Sequence, residues 1–129
     1  MNEQPILHRI MLECGQGDTR LFRNNTGQAW QGAAHVARGP EMVTLLPGDV
    51  VIRKAQPVRY GLCVGSSDLI GWTCVGEHAV FTAIEVKASR GRVTDEQATF
   101  LMAVERAGGR AGVARSVEDA QAILRGEMP

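Results

Sequence analysis

The sequence SDLIGWTCVGEHAVFTAIEVKA, residues 67–88, carries the clearest structural signal in the chain. It contains two β-rich segments, 67–75 and 78–88, which are separated by Gly76-Glu77. A glycine in the first position of a two-residue loop is what a type II′ hairpin turn requires. The pattern therefore predicts two antiparallel strands joined by a tight turn.

This turn would set a register in which Val75 faces His78 and Asp68 lies opposite Glu85, on one face of the sheet. A bulge or a longer turn would shift the register by one residue. Opposed carboxylates repel each other, and the simplest compensation is a divalent cation such as Mg²⁺ or Mn²⁺. Strand alternation places Lys87 on the same face as Glu85. Two acids and a lysine around one metal could serve phosphodiester cleavage.

A simpler interpretation is that Glu85 and Lys87 are polar positions on a solvent-facing strand, because Glu-x-Lys is a common pattern. The neighbouring residues weaken this alternative. Ile84 and Val86 would bury one face of the strand, and Ala83 precedes Glu85 on the other face. The strand is therefore predicted to be central, where a charged side chain usually has a partner or a function.

The remaining sequence predicts three helices and several strands. Helices are expected over residues 5–14, from the cap at Thr94 to Gly108, and from Ser116 onward, with a strand over 110–114. Further extended segments are expected over 19–24, 28–37, 42–46, 49–54 and 58–64. The order of helix, several strands, helix, strand and helix indicates an α/β domain with a mixed sheet.

Composition limits the classes of protein that remain. A chain of 129 residues that is 44% hydrophobic fits a single domain spanning residues 1–129. No apolar run approaches the ~20 residues of a membrane span, and no secretion signal is evident, so a soluble cytoplasmic protein is expected. Three cysteines without a Cys-x-x-Cys pair predict neither a disulfide framework nor a zinc site.

Several segments together carry a family resemblance: 20–27 (RLFRNNTG), 65–71 (GSSDLIG), 83–87 (AIEVK), Gln97, Gly108-Gly109 and 114–120 (ARSVEDA). In this combination the chain resembles the virus-type replication-repair nuclease (VRR-NUC) family of the PD-(D/E)xK superfamily, in its small stand-alone phage and bacterial form. The resemblance implies a restriction-endonuclease-like core, with a mixed β-sheet flanked by helices, and metal-dependent DNA endonuclease activity. One departure is Ser67, which stands where the family usually has a proline.

The resemblance also implies roles for individual residues. Asp68 and Glu85 would bind Mg²⁺ or Mn²⁺, the backbone carbonyl of Val86 would be a further ligand, and Lys87 would be the catalytic lysine. Gln97 matches the glutamine on the helix that follows the Glu-x-Lys strand.

Two of these assignments have alternatives. As the third residue after the Thr94 cap, Gln97 could instead bond back to the cap N–H. The family also uses an acid on its first helix, which Glu3 matches best and Glu13 less well.

Basic and amide side chains are candidates for DNA contacts. Arg90 and Arg92 leave the predicted active-site strand, where arginine could bind phosphate oxygens, although a solvated loop is an equal alternative. Four residues near the start of the chain could contact phosphates or bases, or could form a strand edge and a turn: Arg20, Arg23, Asn24 and Asn25.

Stand-alone members of the VRR-NUC family are similar to Holliday-junction resolvases and work as homodimers, so the resemblance implies a structure-selective DNA endonuclease that acts as a homodimer on a four-way junction. A subunit of this size has little surface for two duplexes, and zero net charge favours recognition of shape over bulk attraction. No membrane partner and no nucleotide cofactor are expected, and the compartment would be the cytoplasm of a bacterial or phage-infected cell. The alternatives are a less selective nicking, flap or restriction-like nuclease, a non-catalytic DNA-binding accessory protein, and a structural domain whose acids pair with arginines.

Overall fold

A computed structural model describes residues 2–30 and 35–128 of the chain. Its elements are α1 (Gln4–Cys14), β1 (Thr19–Arg23), β2 (Gly27–Trp30), β3 (Pro57–Tyr60), β4 (Leu69–Val75), β5 (His78–Val86), α2 (Asp95–Arg106), β6 (Arg110–Ala114) and α3 (Val117–Leu124). Local chemistry accounts for the helix starts, since Pro5 is compatible with a first turn and Thr94 and Ser116 cap α2 and α3. Within the described ranges, no helix has the length and apolar character needed to cross a membrane.

The main sheet has the strand order β1-β4-β5-β6. The pairs β1–β4 and β4–β5 are antiparallel, whereas β5 and β6 are parallel. The chain is therefore an α/β protein with a mixed sheet, as the sequence predicted, and β5 is a central strand. The predicted hairpin register is also confirmed, because Val75 pairs with His78 and the pairing continues to Leu69 and Ile84. Gly76 has a φ of 60°, which the turn requires.

Strand alternation divides the side chains of β5 between two layers. Ile84 and Val86 belong to the larger apolar core, which is formed with α1 and α3. Ala83 packs on the opposite face with Leu101 and Val104 of α2. Because Glu85 follows the same alternation as Ala83, it lies on the α2 face of the sheet.

The strand predictions between residues 28 and 64 are wrong in several places. Residues 42–46 and 49–54 contain no strand, and β3 ends at Tyr60 rather than at residue 64. Strand β2 ends at Trp30, residues 31–34 lie outside the described part, and 35–37 are not in a strand. These segments have the composition of strands, but apart from the short β2–β3 ladder they pair with no other strand among the residues that the structure describes.

Candidate active site

The two predicted acids lie at the same end of two neighbouring strands. Asp68 directly precedes β4, and Glu85 is next to the last residue of β5. The Asp68 carboxylate accepts a hydrogen bond from the Val86 N–H, with 2.8 Å between Oδ2 and N. Asp68 is thereby held beside Glu85, in the juxtaposition that the hairpin register predicted.

The Glu85 carboxylate has one satisfied oxygen and one unsatisfied oxygen. Its Oε1 accepts a hydrogen bond from Gln97 Nε2 at 2.6 Å and lies 3.2 Å from Lys87 Nζ. Its Oε2 is buried and has no hydrogen-bond partner among the described residues. Glu85 is only 1% exposed and the Lys87 side chain 13%, so both charged groups are largely withdrawn from water.

This environment changes the acidity of Glu85. Its pKa is raised from the ordinary value of 4.5 to about 7. Burial is the largest cause, because it disfavours the charged form, and the negative charge of Asp68 acts in the same direction. The hydrogen bond and positive charge of Lys87 lower the pKa and only partly offset these effects. A cation beside the two carboxylates would favour their ionised forms.

Gln97 combines the two roles that the sequence left as alternatives. Its backbone N–H donates to Thr94 Oγ1 at 3.2 Å, and its Oε1 accepts from the Thr94 N–H at 2.9 Å. These two bonds form the capping box that begins α2. The same side chain donates from Nε2 to Glu85, so the cap geometry also directs the amide toward the carboxylate.

The structure distinguishes the two acids of α1 by position. Glu3 Oε1 accepts a long hydrogen bond, 3.4 Å, from the N–H of Ala88, the residue after Lys87. Glu13 lies at the opposite end of α1 and pairs with Arg9 at 3.4 Å. Glu3 therefore reaches the end of the active-site strand. In the part of the chain that the structure describes, however, no three His, Cys, Asp or Glu side chains lie close enough together to hold a metal ion.

Most of the candidate DNA contacts lie on the surface. The exposed residues of this set are Arg20, Arg23, Asn25, Arg90 and Arg92. The side chain of Arg20 donates to backbone carbonyls at the start of β1, and that of Arg23 donates to Gln4 of α1. Asn24 differs from the others because it is 7% exposed and its side-chain amide is bonded within the protein.

Two residues near this site, Ser66 and Arg115, were not predicted from the sequence to contribute to it. Ser66 is buried and accepts a hydrogen bond from Asn24 Nδ2 at 2.7 Å. The guanidinium of Arg115 donates to the carbonyl of Ala88, just beyond Lys87. Both residues lie within segments that carry the family resemblance, but the spacing of residues in a loop does not indicate which way a side chain points.

Comparison with known proteins identifies one family. The family model described as the VRR-NUC domain matches residues 20–118. No curated protein and no solved structure matches the chain. The matched span contains Asp68, Glu85, Lys87 and Gln97, whereas Glu3 precedes it.

Proposed function

Because the chain belongs to the VRR-NUC family, and is thus a nuclease that acts on DNA, we propose that it is a metal-dependent, structure-selective endonuclease. The observation that carries this proposal is the juxtaposition of Asp68, Glu85 and Lys87 at the end of two central strands. The non-catalytic alternatives give no reason to place a buried Glu85 beside a second acid and a lysine, because burial of a charged group is costly.

The chemistry of the site fits a divalent cation. A buried carboxylate oxygen without a partner is costly, and Glu85 Oε2 is such an atom. Asp68, Glu85 and the carbonyl of Val86 would hold Mg²⁺ or Mn²⁺, with Glu3 as an additional candidate. Two protein carboxylates are sufficient for Mg²⁺, which usually keeps several waters and binds substrate phosphates. When bound, the ion would polarise the phosphodiester and make water a stronger nucleophile.

The residues of the chain would supply orientation and charge. Lys87 carries three N–H donors, of which one points to Glu85, so the others are available to a water molecule or a phosphate oxygen. Gln97 restrains Glu85 Oε1 and leaves Oε2 for the cation. Arg90 and Arg92 follow β5 and are exposed, as contacts to a DNA backbone require.

Branched DNA and a homodimer are the most specific parts of the proposal. The net charge is zero, so the subunit lacks the strong general attraction by which many proteins bind duplex DNA. The 35–64 segment also exposes a run of large apolar side chains: Val36, Met42, Val43, Leu45, Leu46, Val50, Val51, Val58, Tyr60, Leu62 and Val64. Such a surface commonly marks a protein interface, and a second subunit would supply a second active site for a four-way junction.

Cleavage of defined DNA substrates tests the proposed function. Labelled four-way junction, flap and linear duplex would each be incubated with Mg²⁺, Mn²⁺ or EDTA. We expect metal-dependent cleavage of the junction and a loss of at least about 100-fold in rate for Lys87→Ala. Arg125→Ala is the matched control, because it removes an exposed cation at the end of α3 and should cleave like the unmodified chain.

Each alternative gives a different result. Metal-dependent cleavage of flap or linear DNA in preference to the junction would retain the nuclease chemistry but contradict the resolvase-like specificity. Tight junction binding without cleavage of any substrate would instead indicate an accessory protein. Equal rates for Lys87→Ala and Arg125→Ala would show that the lysine is not catalytic.

A further inference from the structure

Asn24 directly follows β1, and its buried side chain bonds to the loop of residues 61–67, which precedes Asp68. We infer that Asn24 is a positioning residue, which holds Asp68 in the geometry needed for metal binding, and this inference rests on the proposed function. The side chain is 7% exposed and therefore has little surface to offer to DNA. Its role would be to act through Asp68 rather than on the substrate.

Asn24 bonds to three parts of this loop at once. Its Nδ2 donates to Ser66 Oγ at 2.7 Å and to the carbonyl of Ser67 at 2.9 Å. Its Oδ1 accepts from the N–H of Leu62 at 3.0 Å. Both ends of the loop are thus tied to one amide group, which uses both N–H donors and its carbonyl oxygen.

The backbone of Asn24 extends the same connection to Asp68. Its N–H donates to the Asp68 carbonyl at 2.8 Å, directly after β1. The Asp68 carboxylate is held independently by the N–H of Val86. Asp68 therefore has one anchor on its backbone and another on its side chain, and the Asn24 side chain fixes the residues immediately before it.

The rest of the loop restricts movement further. Ser66 Oγ donates to the carbonyl of Cys63 at 2.7 Å, which closes a tight turn. Gly65 has a φ of 84°, and a Cβ there would lie 2.6 Å from Cβ of Glu96 in α2. The loop therefore lies between Asn24 and α2, and loss of the amide would free one of its two sides. Loss of such supporting bonds commonly lowers metal affinity by about 10–100-fold.

A purely structural role is the competing explanation, and Thr73→Ala is a control for it. Thr73 is also 7% exposed and is bonded to the hydroxyls of Thr19 and Thr82, but it lies near the far end of β4. Both Asn24→Ala and Thr73→Ala should lower the melting temperature. Only Asn24→Ala should raise the Mn²⁺ concentration that the protein requires.

The test makes two measurements on the full chain. The first is the Mn²⁺ concentration that produces half of the maximal thermal shift, and the second is the Mn²⁺ concentration that gives half of the maximal cleavage rate. For Asn24→Ala we expect both concentrations to rise by about 10–100-fold, and for Thr73→Ala to stay within about two-fold of the unmodified chain. Ser66→Ala removes the partner of Nδ2 and provides a second, milder variant if Asn24→Ala does not fold. It should shift the Mn²⁺ dependence in the same direction.

The outcomes separate the inference from the function on which it rests. If the unmodified chain responds to Mn²⁺ but Asn24→Ala and Ser66→Ala require no more metal than Thr73→Ala, only the positioning role is overturned. If the unmodified chain shows neither a Mn²⁺-dependent shift nor cleavage, the proposed function fails and the inference fails with it.

Discussion

The acidity of Glu85 depends on its burial and on two charged neighbours, Asp68 and Lys87. Asp68 directly precedes β4, and Lys87 directly follows β5. In an unfolded chain these groups separate and the carboxylate returns to its ordinary pKa of 4.5. The difference between the folded and unfolded values links the stability of the protein to pH.

A prediction follows for the metal-free protein. Because the folded pKa of Glu85 is raised to about 7, folding favours the protonated acid. The associated stabilisation is fully present below pH 4.5 and is lost as pH rises through about 7. In EDTA, Glu85→Gln should therefore gain stability relative to the unmodified chain over this range. Chemical denaturation at a series of pH values measures the difference.

Glu105→Gln is the matched control for this prediction. Glu105 is an exposed residue of α2, so its neutral substitute should follow the unmodified chain at every pH. A constant difference in unfolding free energy between Glu85→Gln and the unmodified chain, from acid to neutral pH, would contradict the raised pKa.

At the residue scale, the sequence predicted the sheet face on which a side chain lies better than it predicted the residues that the side chain contacts. Strand alternation correctly put Asp68, Glu85 and Lys87 together, because a two-residue turn leaves few registers open. The inward position of Asn24 was not predicted, because it follows β1, where the period of the strand ends. Its direction depends on the loop that precedes Asp68, and nothing in the local pattern specifies that contact.

At the scale of elements, a strand was predicted reliably only where it had a partner. The β4–β5 hairpin contains both of its strands and its own turn, so local sequence determines the pairing. Segments 42–46 and 49–54 are rich in Val, Leu and Ile, but the structure gives them no ladder. Strand propensity largely measures how a side chain packs on a sheet, and it is therefore weak evidence where no sheet forms.

The start of α2 allows the cap and the site to be tested separately. Thr94→Ala removes the oxygen that accepts from the Gln97 N–H but leaves the Gln97 amide facing Glu85. It should lower the unfolding free energy by about 0.5–2 kcal/mol with little effect on cleavage. Gln97→Ala removes its cap bond and its contact with Glu85, so it should also raise the Mn²⁺ requirement, by about 10–100-fold.

Denaturation and Mn²⁺ titration of the two variants, side by side, distinguish these effects. If both variants lose stability but respond equally to Mn²⁺, Gln97 is a cap alone. If Gln97→Ala requires more Mn²⁺ than Thr94→Ala although the two variants have equal unfolding free energies, the contact with Glu85 contributes to the site independently of the helix.

At the scale of the whole molecule, apolar surface is distributed unevenly. The sheet and its three helices bury two apolar clusters, whereas the 35–64 segment leaves most of its large apolar side chains exposed. A smaller exposed group lies on the sheet face, where the rings of Phe22 and Trp72 are 5.6 Å apart. A stable dimer buries about 800 Å² on each partner, and the longer segment is the better candidate to supply it.

The proposed dimer can therefore be tested together with its surface. Light scattering after gel filtration should give twice the 13.9 kDa of the chain. Leu46→Asp should weaken association by at least about ten-fold, because it places a charge among apolar contacts. Leu46 is 66% exposed, and Leu12 of α1, at 76%, provides an equally apolar control in which Leu12→Asp should remain dimeric.

The same variants connect the assembly to cleavage of the junction. The proposed dimer would hold two active sites on one four-way junction. The Leu46→Asp variant, in which Lys87 and both acids are unchanged, should therefore still nick one strand of the junction but lose paired cleavage of both strands. Dimerisation that survives Leu46→Asp but is lost in Trp72→Asp would place the interface on the sheet face instead. An unmodified chain that remains monomeric yet cleaves both strands of the junction in one encounter would contradict the dimer, because one subunit contains a single Asp68–Glu85–Lys87 site.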